Sequence, residues 1–239
     1  MDSPGHRRNI LGRWHKKVNI GLAWDRYNFL AYQHFEGDYV EYDELPSIES
    51  GVLRISGRTK NGARVSGDRD LGVQIFYDQP PHSLTRGQVT RTYCYDGGRQ
   101  IGALRKPLTG GWYYEEEEFT KSYRPCPDPY DVPVDAPAPR SHNEAHRFWQ
   151  AAYDLSQERQ ETLLVLPWIT ALEWTTDGET TDGDMFAVWA DLGGLLAEYG
   201  DGVYTILVWG NLGVEREVIS EYSIFHGVTT PDTYTYGEQ

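Results

Sequence analysis

His142 and His146 stand four residues apart, a spacing that sets two imidazoles on one helical face where both can reach a single metal ion. The order is His-Asn-Glu-Ala-His, so Glu144 falls one residue past the place where a His-Glu-x-x-His protease keeps its general base. No third ligand stands nearby, and the pair reads as surface histidines with a metal site as the alternative. A second grouping is the tandem Thr-Thr-Asp-Gly-Glu and Thr-Thr-Asp-Gly-Asp at 175–184, where Asp177, Glu179, Asp182 and Asp184 offer oxygen ligands suited to calcium. It lacks the spacing and closing Glu of an EF-hand, and an acidic hairpin loop is expected instead. The Glu115–Glu118 run reads as a solvated strand edge rather than a cation site. Eight Trp and 17 Tyr would suit a sugar-binding platform if several were exposed and coplanar. His142, Trp149 and Tyr153 fall on one helical face and fit either that role or core packing. No Gly-x-Ser-x-Gly, phosphate-loop or dinucleotide fingerprint occurs, so no catalytic residues are assigned.

Two cysteines, Cys94 and Cys126, are too few for a disulfide scaffold or a four-thiolate zinc site. Cys94 lies in an alternating Tyr-Cys-Tyr run and Cys126 in a Pro-rich stretch. One bridge between them would stabilise the fold by about 3–4 kcal/mol on the chain-entropy model and would imply an oxidising compartment. Two unrelated thiols are the alternative.

These residues need elements to hold them, and the two-residue period of strands dominates. Ser3 and Pro4 can cap a short opening helix. Val18–Trp24 alternates, Asp25-Arg26-Tyr27-Asn28 is turn chemistry, and Phe29–Phe35 is expected to return as a second strand. Two strands and one helical turn cannot bury a core. Further strands are expected at Gly51–Thr59, ending at the hairpin dipeptide Asn61-Gly62, and at Leu71–Tyr77, Gln88–Tyr95, Gln100–Leu104 and Trp112–Tyr123. Six of the 13 prolines fall in 124–139, which reads either as a linker between two β modules or as a strap across one. Ser141 and Glu144 have capping-box spacing before a helix over 142–158, whose apolar stripe is Ala145, Phe148, Ala152 and Leu155. Strands resume at Thr162–Trp168, Thr170–Trp174 and Met185–Ala190, then Asp191 caps a short helix ending near Gly200. Val203–Trp209 and Glu217–Phe225 complete the set. The expected class is mainly β: an antiparallel, Ig-like β-sandwich with short helical insertions.

Ser3-Pro4-Gly5-His6-Arg7-Arg8-Asn9-Ile10-Leu11, then Val18-Asn19-Ile20-Gly21-Leu22-Ala23 and Tyr32-Gln33-His34-Phe35, resembles the C-terminal part of a bacterial CAP domain, the SCP-like superfamily of cysteine-rich secretory, antigen 5 and pathogenesis-related proteins. The resemblance covers only about residues 1–40. It implies the end of an α-β-α sandwich whose earlier helices and strands would precede Met1, so Met1 reads as an internal methionine of a longer parent. Many CAP members carry two His and two Glu around a cleft, sometimes with a divalent cation. Only His6 matches one of these positions, which marks it as the ligand-binding candidate. The resemblance leaves the chain without a cofactor of its own, a divalent cation belonging to a full-length parent.

Twenty-two Lys and Arg against 36 Asp and Glu give a net charge of −14, a balance that disfavours nucleic acid as partner. Residues 1–17 are basic, leaving 17 basic and 35 acidic groups over the rest. No apolar run approaches the length of a membrane span, and no apolar core of a signal peptide follows the basic start. The expected organisation is a CAP remnant at 1–41 and an acidic β region at 42–239, one domain or two modules at 42–124 and 140–239. The expected function is non-catalytic binding or adhesion, secreted or at the cell surface, of an extracellular ligand such as a glycan or lipid. The alternatives are a fragment of a metal-dependent CAP-family hydrolase and a carbohydrate-binding β-sandwich module. A truncated CAP edge would also expose apolar surface and so favour a homo-oligomer.

Overall fold

Alternating apolar and polar side chains give a strand one buried and one wet face, and in the computed structural model that pattern produces a mainly β molecule. The structure describes residues 10–12, 15–24, 29–65, 72–92, 98–124, 126, 129–177 and 183–228. In chain order the strands are β1 (Lys17–Trp24), β2 (Phe29–Glu36), β3 (Val40–Glu49), β4 (Val52–Thr59), β5 (Ala63–Val65), β6 (Val73–Asp78), β7 (Arg99–Arg105) and β8 (Glu118–Tyr123). They continue as β9 (Thr162–Thr170), β10 (Glu173–Asp177), β11 (Met185–Asp191), β12 (Gly202–Leu212) and β13 (Glu215–His226). Among the described residues three α-helices interrupt them: α1 (Arg86–Val89), α2 (His142–Gln157) and α3 (Gly193–Tyr199).

Strands β1 and β2 form a two-stranded ribbon. A four-stranded sheet runs β10-β11-β4-β3, and a seven-stranded one runs β13-β12-β6-β7-β9-β8 with β5 paired to β12. One buried cluster draws on both larger sheets. Leu53 and Ile55 of β4 and Phe186 and Val188 of β11 meet Val73 and Ile75 of β6 and Tyr204, Ile206 and Val208 of β12. Tyr204 is wholly buried, and its hydroxyl donates to the Gly200 carbonyl at 2.7 Å, tying the end of α3 to the core. Burial, with Tyr77, Asp201 and Tyr199 nearby, pushes that phenol up to about 12.

Several expectations are corrected. Pairing is not wholly antiparallel, because β7 and β9 run parallel through Ala103–Trp168, Leu104–Ile169 and Arg105–Thr170. Asn61 and Gly62 adopt the expected left-handed turn, at φ 55° and 76°. Their flanking strands nevertheless part company: β4 stays in the four-stranded sheet while β5 joins β12, so the dipeptide makes a corner between sheets. In place of the strand expected over Gln88–Tyr95, residues 86–89 form a helical turn, and residues 93–95 lie outside the described residues. Thr85 accepts from the Gln88 N–H while the Gln88 side chain accepts from the Thr85 N–H, and this reciprocal cap fixes a helical turn. The strand expected from Trp112 begins only at Glu118, at the sheet edge, where Glu115–Glu118 are all solvent-exposed. Strand β3 has no counterpart in the sequence reading. It pairs with β4 through two register shifts, around an Ser50-Gly51 turn with φ 51° and 83°.

Candidate binding cleft between α1 and α2

The segment after β6 is held by the Pro-rich stretch that follows β8. His82 stacks on Tyr130 at 3.7 Å between ring centroids, and the Tyr130 hydroxyl both accepts from the His82 N–H and donates to the His82 carbonyl, each at 3.1 Å. Gln88 donates to the Val132 carbonyl at 2.9 Å. Gly87 packs so closely on the Ala136 carbonyl that a Cβ would collide with it. Residues 129–137 therefore run across α1 as a strap.

Arg91, just past α1, joins three pieces. Its Nη1 donates to Gly87 O at 2.8 Å and to Pro137 O at 3.0 Å, and its guanidinium lies 3.8 Å from the ring centroid of Phe148 on α2. Helix α2 starts where Ser141 accepts from the Glu144 N–H at 3.2 Å, and the Glu144 carboxylate reaches back to the Arg140 N–H at 2.6 Å. Its inward stripe is Ala145, Phe148, Ala152 and Ser156. Leu155, expected inside, is 62% exposed, and Ser156 takes the buried position at 3%. Small Ala152 and Ser156 let that stripe approach its neighbours and turn the next one outward.

On the outward stripe three rings lie nearly parallel. His146 and Trp149 are 6.0 Å apart between centroids at 17°, and Trp149 and Tyr153 are 5.9 Å apart at 11°. Parallel rings in contact are separated by about 3.5–4 Å, so a 6.0 Å centroid distance means each is slipped by about 4.5–5 Å. The result is a stepped aromatic ladder. Beside it opens a cleft of about 440 Å³, walled by His142, Ala145, His146 and Trp149 on one side and by Val89, Thr90 and Thr92 on the other. The volume suits a small-molecule or oligomeric ligand segment. Thr90 and Thr92 donate their hydroxyls to Arg86 O at 2.8 Å and Gln88 O at 3.1 Å, which leaves each oxygen able to accept from a ligand. The cleft thus combines apolar ring faces with hydroxyl and imidazole groups.

The sequence-derived site residues distribute unevenly. His142 and His146 share the cleft wall, but no group of three metal-ligating side chains occurs among the described residues. His6, Cys94 and residues 178–182 of the acidic tandem lie outside the described residues. Cys126 is described. Its sulfur accepts from Arg159 Nη1 at 3.3 Å, and no free thiol occurs among the described residues. Asp184, the last carboxylate of the tandem, pairs with Arg64, and its backbone brackets Thr59 through hydrogen bonds of 2.7 and 2.8 Å. Its described contacts therefore tie β11 to the corner after β4. Val89, Thr90, Arg91 and Thr92 were missed, although the Thr85-x-x-Gln88 capping box that places them is present in the sequence.

Comparison with known proteins adds no relative: no family model matches the chain, and no curated protein or solved structure does. Among the described residues no helix is long and apolar enough to cross a membrane.

Proposed function

We propose that the chain is a non-catalytic carbohydrate-binding protein that receives a sugar on the α2 ladder, with the ligand's hydroxyls turned into the α1 cleft. The observation carrying this reading is the parallel, slipped stack of His146, Trp149 and Tyr153, of which His146 and Trp149 line the cleft. A pyranose presents C–H groups on its flat face, and these are attracted to the negative face of an aromatic ring. Its equatorial hydroxyls then need donors and acceptors at the rim, which Thr90, Thr92, His142 and His146 supply. On this reading the two large sheets form a sandwich that carries the helices on one side.

The extracellular setting belongs to the same proposal. It rests on the CAP resemblance of about the first 40 residues and includes, as part of the proposal, a pairing of Cys94 with Cys126, an arrangement expected where thiols are oxidised. Intact mass after iodoacetamide treatment without reductant tests that pairing, since two alkylated cysteines would remove it. A glycan array followed by calorimetric titration of its strongest ligand tests the sugar. Trp149→Ala should weaken binding at least about tenfold with an unchanged circular dichroism spectrum. A silent array, or a ligand held equally by the variant, would overturn the carbohydrate reading.

A further inference from the structure

The loop between β7 and β8 carries the most exposed aromatic pair among the described residues. Trp112 is 78% and Tyr113 80% exposed, and Leu108 beside them is 42% exposed. Large aromatic side chains bury about 150–250 Å² each when covered, so this tip offers about 300–400 Å² of ring and aliphatic surface. That is as much as the largest patch on many monomers, and such patches are often functional.

The pair is presented by a braced loop. Tyr114 donates its hydroxyl to Lys106 O at 2.6 Å, and the Arg105 guanidinium lies 4.0 Å from the Tyr114 ring centroid. Arg105 also donates to Thr170 Oγ1 at 2.9 Å and to the Glu116 carbonyl, while the Trp168 N–H bonds Glu117 O at 2.8 Å. Gly110 and Gly111 turn the chain at φ 72° and 78°, a region open to glycine. The base is pinned to β7 and β9, and the next two residues point their rings into solvent. Braced aromatics of this kind lose little side-chain entropy when a partner covers them.

Charge decides the partner. Glu115, Glu116, Glu117 and Glu118 follow the rings directly, all exposed, and no Lys, Arg or His among the described residues forms an ion pair with any of them. A neutral apolar partner would leave four carboxylates beside its interface, and an anionic one would be repelled. A Lys- or Arg-bearing segment satisfies both features, because cations bind over Trp and Tyr faces and pair with the flanking carboxylates. We propose that the Trp112–Tyr113 tip is a docking point for a basic segment of a partner protein, separate from the sugar cleft.

The test uses fluorescence anisotropy of a fluorescein-labelled octapeptide alternating Lys and Arg with Gly, titrated with the full chain at 50 mM and 300 mM salt. The wild type should bind in a salt-dependent manner. Trp112→Ser/Tyr113→Ser should weaken binding at least about tenfold, and Glu115→Gln/Glu116→Gln should weaken it and flatten the salt dependence. Both variants alter exposed side chains away from the core, and unchanged thermal unfolding checks their fold. Absence of wild-type binding would overturn the proposal. So would equal binding by the aromatic variant, which would reduce the effect to the overall charge of −14. Aromatic-dependent binding to phosphatidylcholine vesicles without peptide binding would reassign the tip to a membrane surface. Sugar binding should be unchanged in both variants, so the two sites fail independently.

Discussion

Arg91→Ala tests whether α2 is held in place by one side chain. Arg91 Nη1 serves two carbonyls, Gly87 O at 2.8 Å and Pro137 O at 3.0 Å, and its cation sits 3.8 Å from the Phe148 ring centroid. A charged donor to a neutral carbonyl contributes about 1.5–3 kcal/mol when buried. Partial exposure here lowers each to about 1, and a partly screened cation–π contact adds about 0.5–1. The expected loss is therefore about 2–3 kcal/mol, or about 5–10 °C in a chain of this length. Thermal and urea unfolding followed by circular dichroism would measure it. Arg91→Met loses both carbonyl hydrogen bonds and the cation–π contact but keeps an apolar stem of similar length to pack near Phe148, and should lose somewhat less than Arg91→Ala. The Arg91/Phe148 double-mutant cycle should return a coupling of about 0.5–1 kcal/mol. Both variants should also lower affinity at the cleft, since Val89, Thr90 and Thr92 form its opposite wall. An Arg91→Ala protein within 0.5 kcal/mol of wild type would refute this account of the clamp.

Acid should weaken the anchoring of the β1–β2 ribbon to the rest of the molecule. Hydrogen bonds from Lys17 first and then Lys60 lower the Asp38 carboxyl below its ordinary range, so its contribution is present above about pH 4 and is lost as pH falls through the lowered value. Asp38→Asn, which tolerates the φ of 50° at this position, should therefore differ most from wild type at pH 6 and approach it as pH falls below the ordinary carboxylate range in urea titrations; a constant difference would remove Asp38 as the titrating group. Gly57→Ala in β4 should cost about 1–3 kcal/mol, because the new Cβ would strike the Glu41 carbonyl and come within 2.9 Å of Tyr42 Cα. Gly194→Ala in α3, where a Cβ meets open space, should be neutral or stabilise by up to about 1 kcal/mol, so equal effects at both sites would contradict the packing argument.

Elements governed by local chemistry were legible in the sequence, and those governed by distant partners were not. The ribbon follows from the alternation of β1 and the turn residues that return the chain as β2, and α2 from its capping residues and periodic stripe. Asn61-Gly62 specified a left-handed turn but not a hairpin, because a turn fixes the backbone of two residues and says nothing about which neighbour each strand finds. Strand β3 escaped notice because the alternation of Val40-Glu41-Tyr42-Asp43 lasts only four residues before Glu44, Leu45 and Pro46 break it. Its edge position and two register shifts tolerate those residues. The parallel β7–β9 ladder joins segments separated by β8, the Pro-rich strap and α2, a long-range choice with no local mark.

The cleft shows the same division at the scale of side chains. His142, His146, Trp149 and Tyr153 share a stripe whose spacing serves a core as well as a platform, so periodicity alone leaves both open. What separates them is the adjacent stripe. Ala152 and Ser156 are the two deeply buried positions of α2, and their small size lets the helix seat on that side while the large rings stay at the rim. Had Leu155 been inside, the helix would be rotated by about one residue and the rings would face differently. Exchanging the two properties by Ser156→Leu should therefore crowd the seat, expel or rotate α2, and abolish sugar binding although the Trp149 side chain itself is unaltered. Leu155→Ser, on the 62% exposed side, should alter neither stability by more than about 0.5 kcal/mol nor binding. A reversed pattern, with Leu155→Ser the damaging change, would show that the Leu155 face is the one that docks and would remove the ladder from the surface.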